Sequence, residues 1–145
     1  MPTYFDSGVI VKLYVPEPNS ADAIRLVTAL PPPIPFTDWQ AIEVRNAMRL
    51  KRFRGEITPA QLRAALRALA EDERAGRWQR PALDLGETLR RAEVFSRKLA
   101  PAIGCRTLDI LHVATAVVLG VREFASFDGR QRQLAKKAGL RVVPR

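Results

Sequence analysis

Apolar and polar positions along this chain alternate repeatedly between the strand period of two and the helical period near 3.6. Thr3 to Phe5 predicts a short first strand, followed by a helix from Ser7 to about Val15 that Pro16 and Pro18 terminate. Asn19 and Ser20 suit the cap of a second helix running to about Leu30. Pro31-Pro32-Pro33 is then a stiff, non-helical connection into a strand at Ile34 to Thr37. Thr37 with Gln40, and Thr58-Pro59 with Gln61, have the spacing of capping boxes, which predicts helices over 38–54 and 59–75 with Gly55 between them. Leu85, Leu89, Ala92, Phe95 and Leu99 form a helical stripe. Leu108 to Leu119 is apolar nearly all the way round, so that helix is expected to be central. Glu123 to Ser126 predicts a strand, Asp128 to Ala138 a helix closed by Gly139, and Arg141 to Val143 a last strand. There is no internal repeat. Strands and helices taking turns favour a three-layer α/β/α sandwich with a central, mostly parallel sheet. A length of 145 residues fits a single domain over 1–145.

Charge changes this picture. The formal net charge is +9, yet Asp6, Glu43, Asp109 and Asp128 each interrupt an apolar stretch. Acids gathered in a basic protein call for a cation to neutralise them, and the positive surround calls for a polyanion. In open α/β sheets the useful surface is the crevice beyond the carboxyl ends of the strands. Asp6 ends the first strand and Asp128 comes after a late one, so both are expected there, with Asp109 in the first turn of the central helix. On the helix over 38–54, Trp39, Ile42, Glu43, Asn46, Ala47, Leu50 and Phe53 fall on one arc, which places Glu43 on the expected buried face. Ordinary roles compete with each assignment. Asp6 and Asp128 sit where N-caps are favoured, Asp109 suits the helix macrodipole with Thr107 as its cap, and Glu43 could pair with Arg49 or Arg106. His112, alone in an apolar helix, reads as a core group.

Other classes drop out on composition and motif. Cys105 is the single cysteine, which excludes an internal disulfide and a cysteine-rich zinc site and suits a reducing cytoplasm. The chain carries no P-loop, no Gly-x-Gly-x-x-Gly and no His-Glu-x-x-His. The longest apolar run, Leu111 to Val121, is too short for a bilayer and the start of the chain lacks signal-peptide character, so no membrane role is expected. Arg45, Arg49, Lys51, Arg52 and Arg54 crowd one helix, and Arg130, Arg132, Lys136 and Lys137 another, as a phosphate-gripping surface requires. Few aromatic residues accompany them, which favours recognition of a nucleic acid's folded shape or an exposed loop over extended base stacking. A strip around Val44 and Met48 suits either a partner helix or a further core contact.

Tyr4-Phe5-Asp6-Ser7-Gly8, Ala41-Ile42-Glu43-Val44, Arg106-Thr107-Leu108-Asp109 with His112-Val113-Ala114, and Ser126-Phe127-Asp128 together resemble the PIN-domain family. More narrowly they resemble the VapC-type ribonuclease toxins of toxin–antitoxin modules, over essentially the whole chain. The resemblance implies an endoribonuclease dependent on Mg²⁺, or Mn²⁺ in its place, that is usually a homodimer and is inhibited by a cognate VapB-type antitoxin. By position it implies Asp6, Glu43, Asp109 and Asp128 as the acidic quartet, with Ser7 as the supporting hydroxyl. Asp6 and Asp109 are expected to be direct metal ligands, and Glu43 and Asp128 to act directly or through water. Arg130 stands where many members carry a further aspartate or asparagine. A PIN-like RNA-binding module without catalysis and a metal-dependent phosphatase are the competing readings; retention of four acids disfavours the first and the basic balance the second.

Overall fold

Strand pairing in this chain is parallel throughout and joins segments far apart in sequence. The computed structural model describes residues 2–145. Its elements run in the order β1 (Thr3–Phe5), α1 (Ser7–Tyr14), α2 (Ser20–Thr28), β2 (Ile34–Pro35), α3 (Asp38–Phe53), α4 (Pro59–Arg74), β3 (Trp78–Gln79), α5 (Leu85–Ile103), α6 (Thr107–Val118), β4 (Glu123–Ala125), α7 (Gly129–Lys137) and β5 (Arg141–Val143). The chain divides into two compact units: Met1–Asp6 with Pro81–Arg145, and Ser7–Arg80.

In the first unit the sheet order is β1-β4-β5. Tyr4 lies opposite Phe124 and Phe5 opposite Ala125, while Phe124 lies opposite Val142. Parallel strands need a crossover, and α7 supplies it between β4 and β5. The central helix is α6, as its apolar circumference predicts: Ile110 and the run His112 to Ala116 are buried. Tyr4 joins this helix to the sheet. Its ring stacks on Phe124 at a centroid distance of 5.5 Å, and its hydroxyl is 2.7 Å from His112 Nδ1 in the core. His112 is fully buried, in keeping with its reading as a core group. Gly104 (φ 71°) and Gly139 (φ 92°) end α5 and α7 in the left-handed region that favours glycine. Pro101 sits inside α5 near its end, where the helix continues for two more residues.

In the second unit, both expected capping boxes form. Thr37 N donates to Gln40 Oε1 at 2.6 Å and Gln40 N to Thr37 Oγ1 at 3.3 Å. Thr58 N and Gln61 make the same exchange at 2.8 and 3.1 Å. The sequence pattern does not signal β3, because two residues are too few to show a period. It forms because Ile34 N and Phe36 N donate to Arg77 O and Gln79 O, and because Phe36 and Trp78 pack at 5.5 Å between ring centroids. Trp78 Nε1 donates to the Tyr14 hydroxyl at 2.7 Å, which in turn donates to Asp72 Oδ2 at 2.6 Å. Burial, reinforced by that carboxylate, pushes the Tyr14 phenol well up. Asn19 N-caps α2 through a left-handed backbone without a side-chain bond, and Ser20 Oγ accepts instead from Glu17 N at 3.0 Å. The arc expected to be the buried face of α3 is not. Gln40, Ala41, Val44 and Met48 are buried there, whereas Ile42, Leu50 and Phe53 are exposed and Glu43 lies half-buried between the two faces. A pattern apolar on two sides left the choice of face to the tertiary contacts.

Two sets of polar contacts make measurable contributions to stability. Tyr4→Phe removes the buried hydroxyl and should lower the unfolding free energy by about 1 kcal/mol, with an unchanged denaturant slope in equilibrium unfolding. Lys51 Nζ lies 2.5 Å and Lys12 Nζ 2.9 Å from the Glu17 carboxylate. Burial pushes that carboxyl up, but the two ammonium groups outweigh it and hold it below the usual range. A depressed folded-state pKa contributes stability above the unfolded value, about 4.3, that is lost as pH falls through the folded one. Glu17→Gln should therefore show a shallower loss of stability below about pH 4.3 than the parent in acid titration of the unfolding midpoint.

Candidate active site

Parallel register brings the first acid to the last. With Phe5 opposite Ala125, the Asp6 backbone N–H donates to Ala125 O at 2.9 Å, so residue 6 leaves β1 beside residue 126 as it leaves β4. The buried Ser126 hydroxyl then donates to Asp6 Oδ2 at 2.8 Å and accepts from Asp128 N at 3.0 Å. Sequence reasoning gave Ser126 no role of its own. Its signal was its place two residues before an acid at the end of a strand, where a hydroxyl can bridge two chain ends.

Asp128 is the N-cap of α7, with Oδ1 accepting from Gln131 N at 2.9 Å. The capping role weighed for it is real, but it occupies one face of one oxygen, and the side chain is exposed to incoming ligands. Asp109 lies in the first turn of α6. Thr107 was expected to cap this helix, but the N-cap is Arg106, and Asp109 Oδ2 reaches back to accept from Arg106 N at 3.1 Å. Thr107 already has helical backbone as the first residue of α6. Gln131, buried on α7, completes the chain of contacts by donating from Nε2 to Asp109 O at 3.3 Å. Asp6, Ser126, Asp128, Gln131 and Asp109 are thus linked in one hydrogen-bonded series within the first unit. Asp109 and Asp128 enter no ion pair among the described residues, so two negative charges stand without a protein cation.

The remaining expected residues belong to the second unit. Ser7 is the buried first residue of α1, and Glu43 is half-buried on α3. The basic residues also separate by role. Arg45 pairs with Glu73, Lys51 with Glu17 and Glu56, and Arg132 donates to Ser126 O and Pro144 O at 2.8 and 2.7 Å. These three are structural. Arg49 and Arg52 on α3, Arg54 at its C-cap, and Arg130, Lys136 and Lys137 on α7 are exposed and make no ion pair among the described residues.

Carboxylate oxygens backed by a serine hydroxyl suit a hard divalent cation such as Mg²⁺ or Mn²⁺. Gln131 Oε1 is buried with no hydrogen-bond partner. Among the described residues no group of three or more His, Cys, Asp or Glu side chains is placed so that it could hold a metal ion. No helix among them is long and apolar enough to cross a membrane.

No family model matches the chain. It is 35% identical to Ribonuclease VapC46 of Mycobacterium tuberculosis (strain ATCC 25618 / H37Rv) over 142 residues, which is 97% of this chain and 95% of that protein. A chain in the crystal structure of FitAcB from Neisseria gonorrhoeae matches with a TM-score of 0.66 at 18% identity, over 99% of this chain and 97% of that one. The structural likeness bears out the α/β/α class with parallel strands, and the likeness in sequence runs nearly end to end. The chain belongs to the VapC family of PIN-domain ribonucleases.

Proposed function

We propose that this chain is a divalent-metal-dependent endoribonuclease that hydrolyses RNA phosphodiester bonds in the cytoplasm, as the toxin of a toxin–antitoxin pair held inactive by a cognate VapB-type antitoxin. The observation that carries the reading is the series Asp6, Ser126, Asp128, Gln131 and Asp109, which draws three of the four expected acids to the ends of β1 and β4 and the starts of α6 and α7. Membership of the VapC family supports the substrate and the antitoxin partner. Both units together make the single nuclease domain of this reading, with Glu43 and Ser7 carried by the family resemblance.

Asp6 and Asp109 would hold Mg²⁺, or Mn²⁺ in its place, directly, and Glu43 and Asp128 directly or through water. The ion, when bound, supplies Lewis acidity toward a phosphodiester and lowers the pKa of water. The protein's own part is to hold these carboxylates oriented. Ser126 fixes Asp6 relative to Asp128 through one hydroxyl, and the Arg106 and Gln131 backbone N–H groups fix the Asp109 and Asp128 rotamers. Arg49, Arg52, Arg54, Arg130, Lys136 and Lys137 supply positive charge for RNA phosphates.

The homodimer expected of this family has a surface on α3. Val44 and Met48 do not provide it, since both are core residues; Phe53 is 87% and Ile42 66% exposed on the other side of that helix. Large apolar side chains at that exposure, in one strip, suit a second copy.

Asparagine substitutions separate chemistry from capping, because Asn keeps the oxygen that accepts from Ser126, Arg106 or Gln131 and removes only the charge. Asp6→Asn, Asp109→Asn and Asp128→Asn should each retain the parent unfolding midpoint and lose at least about 100-fold in cleavage of a labelled RNA with Mn²⁺ present. Parent-like cleavage in all three would leave these acids as caps. Ile42→Glu with Phe53→Glu should convert a dimer to a monomer by light scattering after gel filtration; an unchanged mass would remove this strip from the dimer surface.

A further inference from the structure

Within the first unit, an open cleft of about 390 Å³ runs between α7 and β5, lined by Arg132, Gln133, Lys136, Leu140, Arg141 and Val142. Three of these residues are cationic and none is acidic. Arg132 ties the cleft to the acids: its side chain lines the wall while its guanidinium donates to Ser126 O and Pro144 O at 2.8 and 2.7 Å. Ser126 is the residue that bridges Asp6 and Asp128. Beyond Asp128 the helix carries no acid, so the path from site to cleft passes only basic, neutral and apolar side chains. Lys136 is exposed and makes no ion pair among the described residues. Arg141 lies 2.7 Å from Glu123 but keeps 59% of its side chain exposed.

An extended polyanion suits this lining. Ammonium, guanidinium and amide groups donate hydrogen bonds, and Leu140 with Val142 gives apolar surface against which a sugar can rest. A peptide strand fits less well, although β5 is the edge of its sheet. Arg141 N donates to Arg122 O and Ser126 N to Val143 O, so residues 141 and 143 face β4 and Val142 alone turns its backbone groups outward. One open residue is too short a ladder for strand addition.

The geometry points to the α7–β5 cleft as a distal binding site for the RNA strand, in which Lys136, with Arg141 beside it, holds a backbone phosphate away from the point of cleavage. Eight positions of helix separate Asp128 from Lys136, about 12 Å at about 1.5 Å per residue. A stacked strand at about 3.4 Å per nucleotide covers that span in roughly three or four steps. The inference rests on RNA as the substrate and adds where nucleotides that are not cut are held.

The test is binding of a labelled single-stranded RNA to the full chain in EDTA, so that affinity is read without cleavage, across a series of salt concentrations. Lys136→Ala, Gln133→Glu and Lys98→Ala each lower the net charge by one; the first two act in the cleft and the third on the exposed face of α5. Loss of one phosphate contact should weaken binding about fivefold at about 0.1 M salt and flatten the salt slope by about 0.7 in Lys136→Ala. Gln133→Glu should weaken binding at least as much, and Lys98→Ala should stay within about twofold of the parent. Equal effects in all three variants would mean diffuse attraction to a positive surface and would overturn the inference. So would a cleft that takes polyglutamate in the parent and loses it in Lys136→Ala while RNA affinity is unmoved. Binding as expected without cleavage once Mn²⁺ is added would sink the nuclease reading and leave the distal site standing. A parent chain that does not bind RNA at all would overturn both.

Discussion

Parallel pairing of β1 with β4 is the constraint on which the candidate site depends. Two strands of three residues, 120 positions apart, place Asp6 and Ser126 side by side as their chains leave the sheet. Parallel strands end at the same edge, so the residues just past the end of one strand meet those just past the end of the other. An antiparallel pairing of the same segments would send residue 6 and residue 126 to opposite ends. Tyr4 extends this constraint to α6. It lies two residues before Asp6, and its partner His112 lies three residues after Asp109, so one buried hydrogen bond fixes how far along the sheet the helix start stands.

The same side chains satisfy helix ends and furnish the site. Asp128 and Asp109 each give one oxygen to a backbone N–H of their own helix. A carboxylate offers about four acceptor positions over its two oxygens, so one capping bond leaves most of its capacity, and its whole charge, for a ligand. Capping also holds the rotamer, which lowers the ordering cost when an ion arrives. The ordinary reading of these residues and the functional one are therefore compatible rather than exclusive. Gln131 shows the converse, a residue that gives up the capping bond its position normally makes.

Charge in the second unit divides in a similar way. Glu17 gathers Lys12 and Lys51, and Glu73 gathers Arg45 and Arg80, the last also stacked over the Phe36 ring at 5.1 Å. These cations brace helices and a strand. Exposed basic residues outside these pairs include Arg49 and Arg52 on α3 and Arg63 and Arg67 on α4, with Arg130, Lys136 and Lys137 on α7 of the first unit, all hydrated and available to a polyanion.

The element order, both threonine–glutamine capping boxes, the buried character of α6 and the four acids in their motifs were legible in the sequence, because periodicity, caps and turns are set by residues within a few positions of one another. The resemblance to VapC-type proteins was legible for the same reason, as short motifs in a given order. Which face of α3 is buried, the two-residue strand β3, the cap of α6 by Arg106, the bridging hydroxyl of Ser126 and the diverted amide of Gln131 were decided by the tertiary structure. Each depends on a partner distant along the chain or on a choice between two apolar faces, and local pattern carries no information about either. The sequence by itself determined which polar side chains stand at the ends of which elements; only the packed strands and helices decided which oxygen meets which hydrogen.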